Sequence, residues 1–187
     1  MYKFCPQCGG RLASRLLKAG EPERLVCTGC GFVFYLDPKL AVISVVPKDG
    51  GVVMVRRAIH PGYGLWVVPG GFVDVGEPVE EAVVRETLEE THLTVQVERL
   101  LGVYSYRGSP TVVLAFLTQY LAGDLASGDE TLEARIFQPG DIPWPEIAFR
   151  STRAALKDYL GMGEMGLGEG RGKTIPPPSP KTPPNPL

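Results

Sequence analysis

Apolar and polar positions along the chain separate into short runs that predict a mixed α+β domain. LAVISVVP (40–47) is a β-branched run and predicts a strand buried on both faces. Lys48-Asp49-Gly50-Gly51 is a turn signal, so VVMVRR (52–57) is expected to pair back as the second strand of a hairpin. A Gly/Pro-rich loop, HPGYGLWVVPGG (60–71), follows. Residues 78–91 predict a helix with Pro78 at its first position, packing through Val84 and Leu88. Residues 93–97, 112–121 and 134–137 predict further strands. A last helix is expected from Ser151 to Leu160, with Ser151 as N-cap and Gly161 as the stop. The elements interleave without a regular βαβ repeat, which predicts a mixed sheet between helices.

The flanks differ from this middle. Residues 1–36 hold all four cysteines, and residues 162–187 are dominated by Gly and then Pro. The latter segment carries too little apolar surface to offset its chain entropy and is expected to be disordered. The 187 residues therefore divide into a small module (1–36), one medium domain (37–161) and a tail (162–187).

Composition narrows the function classes. A hydrophobic fraction of 44% with 21% charged residues is that of an ordinary globular chain, and a formal charge of −2 argues against a dedicated nucleic-acid binder. No run of 18 apolar residues predicts a membrane span, and MYKFCPQCGG lacks the apolar stretch of a secretory signal. The expected location is cytoplasmic, where cysteines hold metal more often than they form disulfides.

Cys5-Pro-Gln-Cys8-Gly and Cys27-Thr-Gly-Cys30-Gly are two CxxC knuckles. Four thiolates at this spacing can close a tetrahedral site with no position left for a catalytic water, so the site is read as structural. Zinc is the expected metal, with iron in the same sulfur cage and a redox CxxC as the alternatives.

Arg85, Glu86, Glu89 and Glu90 lie within six residues of the helix. At about 100° per residue the three glutamates share roughly a 100° sector, where their charges repel unless solvent or a cation relieves them. A solvated face explains the spacing as well as a hard divalent cation such as Mg²⁺ or Mn²⁺ does.

The wider pattern distinguishes the two. Gly71, five residues, Glu77, seven residues, then Arg85-Glu86-Thr87-Leu88-Glu89-Glu90-Thr91-His92-Leu93 resembles the signature of the Nudix hydrolases, G-x5-E-x7-R-E-U-x-E-E-x-G-U. Two positions depart. Thr87 replaces an aliphatic residue, with a hydroxyl able to bond the Val83 carbonyl, and His92 replaces a C-cap glycine where φ is expected to be positive.

The resemblance implies an α/β/α sandwich with a mixed sheet over residues 37–161, preceded by an N-terminal zinc ribbon. It implies that Glu86, Glu89, Glu90 and the Gly71 carbonyl hold Mg²⁺ or Mn²⁺, and that Glu77 and Arg85 form a supporting ion pair. Glu130 is the implied catalytic base, with Glu133 as its rival. Arg56 or Arg57 is a candidate phosphate ligand, and strand alternation allows one of them to reach the site. Tyr104, Tyr106 and Phe34 are candidate base-stacking rings, with core packing the better reading of Phe34. His60 reads as a surface loop residue and Trp66 as core.

The implied reaction is hydrolysis of a nucleoside diphosphate linked to a second group. NADH pyrophosphatases share the ribbon-first layout, but their SQPWPFPxS array is missing here. PGDIPWPEIAFRSTRAALKDYL instead resembles ribbon-bearing Nudix proteins associated with ADP-ribose or FAD, giving the order ADP-ribose, FAD, NADH. The competing class is a non-catalytic nucleotide sensor, or a nucleic-acid or partner-binding protein on the same fold, which would be expected to lose box carboxylates. A homodimer is implied by analogy alone.

Overall fold

The structure, a computed structural model, describes residues 2–164; of the tail expected to be disordered from 162, residues 162–164 instead continue the last helix, and residues 165–187 lie outside the described residues. Three short strands, β1 (Leu12–Arg15), β2 (Arg24–Cys27) and β3 (Val33–Phe34), form an antiparallel sheet in sequence order. Then come β4 (Lys39–Val45), β5 (Pro47–Lys48), β6 (Gly51–Arg57), β7 (Trp66–Val67) and β8 (Gly70–Phe72). Helix α1 (Val79–Thr91) precedes the long strands β9 (Thr94–Ser105) and β10 (Thr111–Ala122). Strand β11 (Thr131–Phe137) and helix α2 (Arg150–Glu164) complete the described chain.

Two sheets divide the eight strands of the larger domain. One has the order β8-β4-β10-β9, with β4 and β10 parallel and the other neighbours antiparallel; the other pairs β6 with β5, β7 and β11. The run at 40–47 is buried on both faces as expected, but it is not one strand of a hairpin. It breaks at Val46: β4 joins the first sheet and only β5 pairs with β6. The turn between β5 and β6 is Asp49-Gly50 with φ of 50° and 77°, the left-handed pair that a tight two-residue hairpin needs.

Alternation along β4 and β10 builds a core on each side. Val42 and Phe116 pack against Ala82 and Val83 of α1, while Ile43 and Ala115 join Met54, Trp66, Ala155 and Leu156 in the cluster under α2. These are the layers of an α/β/α sandwich, with the mixed sheet around β4 and β10 and the antiparallel sheet around β6 between the helices.

Both helices differ in detail from expectation. Pro78 is the N-cap residue of α1, with extended ψ of 139°, and the first helical residue is Val79. The buried side of α1 is Ala82, Val83, Thr87, Glu90 and Thr91, whereas Leu88 is 48% exposed. Helix α2 starts at Arg150, and the Arg153 N–H donates to the Phe149 carbonyl, so Phe149 and not Ser151 caps it. Gly161 does not stop it: α2 runs on to Glu164. A glycine inside a helix costs about 1 kcal/mol, which the buried Ala155 and Leu156 offset.

Candidate active site

Helix α1 carries the glutamates, and its rotation decides their environment. Relative to Ala82 at 0°, a turn of about 100° per residue puts Glu86 near 40° and Glu90 near 80°, inside the buried sector that runs to Thr91 near 180°. Glu90 is accordingly 8% exposed, while Glu89, near −20°, has a side chain 58% exposed. The hydroxyl of Thr87 donates to the Val83 carbonyl at 2.7 Å, which lets a polar residue occupy the apolar sector.

The end of α1 is tied to the loop that delivers Glu130. His92 adopts φ 60° and its N–H donates to the Leu88 carbonyl, closing the helix. The N–H groups of Ala126 and Gly128 then donate to the carbonyls of Thr91 and Glu90. Gly128 is obligatory at this approach, since a Cβ there would meet the Glu89 carbonyl. The loop thus follows the helix terminus and brings Glu130 to the wall of the cavity that Glu86 and Glu90 line.

On the other side of α1 stands the turn from β7 to β8. The Gly70 N–H donates to Glu90 Oε2 at 3.0 Å. Gly70 has φ 153°, and a Cβ there would strike the Val42 carbonyl; a Cβ on Gly71 would strike the Glu86 carboxylate. Two consecutive glycines let the backbone of β8 lie directly on the glutamates.

Arg85 organises the remaining charges. Its Nε and Nη2 donate to the two oxygens of Glu77, at 2.7 and 2.9 Å, and its Nη1 donates to Glu86 and Glu89, at 2.8 and 3.2 Å. Nη2 also donates to the Phe72 carbonyl. The Arg85 guanidinium holds the Glu77 carboxyl down at about 2, helped by the Asp74 N–H. Glu90 is the opposite case: burial pushes it up to about 7, and the charges of Glu86 and Glu130 add to the rise. Burial also raises Glu86, with Glu89 and Glu130 contributing after the opposing Arg85. Oxygen donors that raise one another's pKa are the chemistry a hard divalent cation relieves, so the residues fit such an ion.

A cavity of about 890 Å³ opens beside these groups, within the range that holds a small-molecule ligand. Glu86, Glu90, Gly71, Glu130 and Arg57 line it. Arg57 lies near enough to Glu90 to lower its pKa, and its Nε donates to the Pro61 carbonyl. Arg56, its neighbour on β6, is not on the wall; its Nε donates to the Gly64 carbonyl. Glu133 is off the wall too.

Tyr104 is also placed elsewhere: its hydroxyl donates to Asp158 of α2 at 2.8 Å, and burial raises its pKa. Tyr106, two residues on, does line the cavity. Trp66 is core and packs edge-on to Phe137, Phe34 meets Tyr2 in the N-terminal module, and His60 lines the cavity stacked on Tyr63. The sequence reading missed Arg107, Phe149 and Arg150, which line the cavity from the loop after β9 and the start of α2. Phe149 and Arg150 lie in the segment AFRST, read from the sequence only as a subgroup marker, and Arg107 carries no such signal.

In the N-terminal module the sulfurs of Cys5, Cys8, Cys27 and Cys30 all lie within 4.8 Å of one another, with Cys8–Cys27 at 3.4 Å and Cys5–Cys30 at 3.8 Å. Tetrahedral zinc with bonds of about 2.3 Å sets its sulfurs about 3.8 Å apart, so the cage fits. The Cys30 and Gly29 N–H groups point at the Cys27 sulfur and hold that thiol down at about 6. Among the described residues only the cysteines form so tight a ligand group; the glutamates are instead drawn onto Arg85 and the Gly70 amide.

The profile of the NUDIX domain matches residues 37–158, and that of the Nudix N-terminal zinc ribbon matches residues 3–36. The chain belongs to the Nudix family. It is 35% identical to an ADP-ribose pyrophosphatase of Methanocaldococcus jannaschii over 81% of this chain and 86% of that one. It is 31% identical to the NAD-capped RNA hydrolase NudC of Vibrio vulnificus over 84% of its length, but the match spans only 59% of that relative. A crystal structure of a Nudix hydrolase from Nitrosomonas europaea superposes with a TM-score of 0.83 at 35% identity, covering 88% of this chain and 94% of the other. With all the box carboxylates kept, this Nudix chain is an enzyme, a pyrophosphohydrolase. No helix among the described residues is long and apolar enough to cross a membrane.

Proposed function

We propose that this enzyme cleaves the diphosphate bridge of a nucleoside diphosphate joined to a second group, ADP-ribose ahead of FAD and NADH. The observation that carries the reading is the pair of half-buried Glu86 and buried Glu90, set with Glu130 and Arg57 on one cavity of small-molecule size. Glu86, Glu89, Glu90 and the Gly71 carbonyl would hold Mg²⁺ or Mn²⁺, which neutralises phosphate charge and acidifies a water when bound. Glu130 takes the proton of the attacking water as a new P–O bond forms and the bridging P–O bond breaks. Arg57 donates to a non-bridging phosphate oxygen. Arg85, fixed by Glu77, orients Glu86. The four cysteines hold a structural zinc.

ADP-ribose comes first because the archaeal relative named for it matches over most of both chains. The NudC relatives extend well beyond the matched region, and activity on capped RNA is not carried over. The test is phosphate release with Mg²⁺, coupled through a phosphatase for ADP-ribose, FAD and NADH and through inorganic pyrophosphatase for nucleoside triphosphates. Turnover led by ADP-ribose supports the order proposed. Turnover of triphosphates alone, or of nothing, refutes it.

A further inference from the structure

Three arginines on the cavity wall make no direct ion pair among the described residues. None of the ion pairs among the described residues involves Arg57, Arg107 or Arg150, whereas Arg85 is fully engaged with glutamates. Two of the three are braced on aromatic rings that line the same cavity. The Arg57 guanidinium lies 5.1 Å from the ring centre of Phe149, and that of Arg150 lies 4.4 Å from Tyr106. Each ring steadies its guanidinium; the Arg57 Nε is spent on the Pro61 carbonyl, whereas none of the hydrogen bonds among the described residues uses the Arg150 guanidinium, whose fork can take a phosphate in bidentate fashion. Phe149 adjoins Arg150 and Tyr106 adjoins Arg107, so cations and rings alternate along this wall.

Arg57 shares the cavity wall with Glu86 and Glu90 and in the proposed reaction belongs with the scissile diphosphate. Hydrolysis of an unsubstituted nucleoside diphosphate leaves Arg107 and Arg150 without a task. We infer that Arg107 and Arg150 form a second anion site in the cavity, which receives a phosphate ester on the ribose of the nucleoside half. Two guanidinium charges match a phosphate monoester, which is close to dianionic at neutral pH. The ribose joins base to diphosphate, so its hydroxyls are the points from which a further phosphate stays within the same cavity. The inference rests on the proposed diphosphate hydrolysis and assigns the substrate's nucleoside end.

The experiment compares ADP-ribose with its 2′-phosphate and 3′-phosphate derivatives, on wild type and on an Arg107→Gln/Arg150→Gln double variant. Both side chains are exposed, so neither change removes core packing. Wild type is expected to favour one phosphorylated substrate by about tenfold in kcat/KM, the worth of one charge-assisted hydrogen bond or more. The favoured isomer tells which hydroxyl carries the group, and the double variant brings the ratio towards one. Calorimetric titration of the same three compounds in EDTA reads the ratio as Kd, independent of turnover. Equal affinity of wild type for all three, or a preference that survives in the double variant, overturns the inference. Absence of turnover with the Kd preference intact refutes the proposed hydrolysis and leaves the anion site standing.

Discussion

Arg85 grips Glu77 through two parallel hydrogen bonds, Nε to Oε1 at 2.7 Å and Nη2 to Oε2 at 2.9 Å, while its Nη1 reaches Glu86 at 2.8 Å. One guanidinium therefore locks the loop before α1 and aims a site carboxylate. Lysine keeps the charge but cannot make the fork. Arg85→Lys is expected to lower stability by about 1–3 kcal/mol and to lower kcat more than it raises KM, because Glu86 loses its fixed position. Denaturant unfolding together with steady-state kinetics checks both. An unchanged kcat would reduce Arg85 to a surface charge.

The same pair sets an acid limit. Glu77 is held at about 2 when folded, against an ordinary value of 4.5, so its contribution is fully present above 4.5 and fades as pH falls towards 2. Glu77→Gln should therefore reduce the melting temperature at pH 7, with the gap to wild type closing below pH 4. Thermal melts from pH 3 to 7 measure it; a gap independent of pH would mean that packing and not charge holds the loop.

Gly71 gives a sharper test of close approach. A methyl group there collides with the Glu86 carboxylate, so Gly71→Ala should displace that group. Activity is expected to fall by about two orders of magnitude, the cost of misplacing a catalytic group by about 1 Å, while the fold survives. Circular dichroism and kinetics together decide; full activity would show that Glu86 is free to move.

How far the sequence could reveal these features depended on whether they were local. The charged box lies in one stretch of 20 residues, so its resemblance to the Nudix signature is readable along the chain, and the roles proposed for it rest on that resemblance. The His92 backbone was legible for the same reason: the signature has a glycine at this C-cap, a position that often takes φ > 0. Leu88 was misread because hydrophobicity alone chose the packing face, whereas the site requires Glu90 to turn inward and Leu88 with it outward. The break at Val46 was invisible because an unbroken β-branched run says nothing about which sheet each half joins. The wall of Arg57, Tyr106, Arg107, Phe149 and Arg150 comes from three segments, and no window contains it.

The cysteine cage is expected to be structural. Releasing its metal with a mercurial and a chelator should free about one zinc per chain and unfold the three short strands, with loss of the signals of Phe32 and Phe34 beside them. Metal analysis and near-ultraviolet circular dichroism follow the change. A catalytic zinc would be revealed by turnover lost in step with the ion and restored by zinc alone.

The central claim is that the buried Glu90 is a carboxylate used in diphosphate hydrolysis, and Glu90→Gln tests it most directly. The amide oxygen can still accept the Gly70 N–H, so the fold should persist, and loss of the buried charge should raise the melting temperature without added cation. The measurement is kcat for ADP-ribose with Mg²⁺, wild type beside the variant. A drop of about three orders of magnitude with the fold intact is the predicted result. Turnover by Glu90→Gln equal to that of wild type would contradict the account.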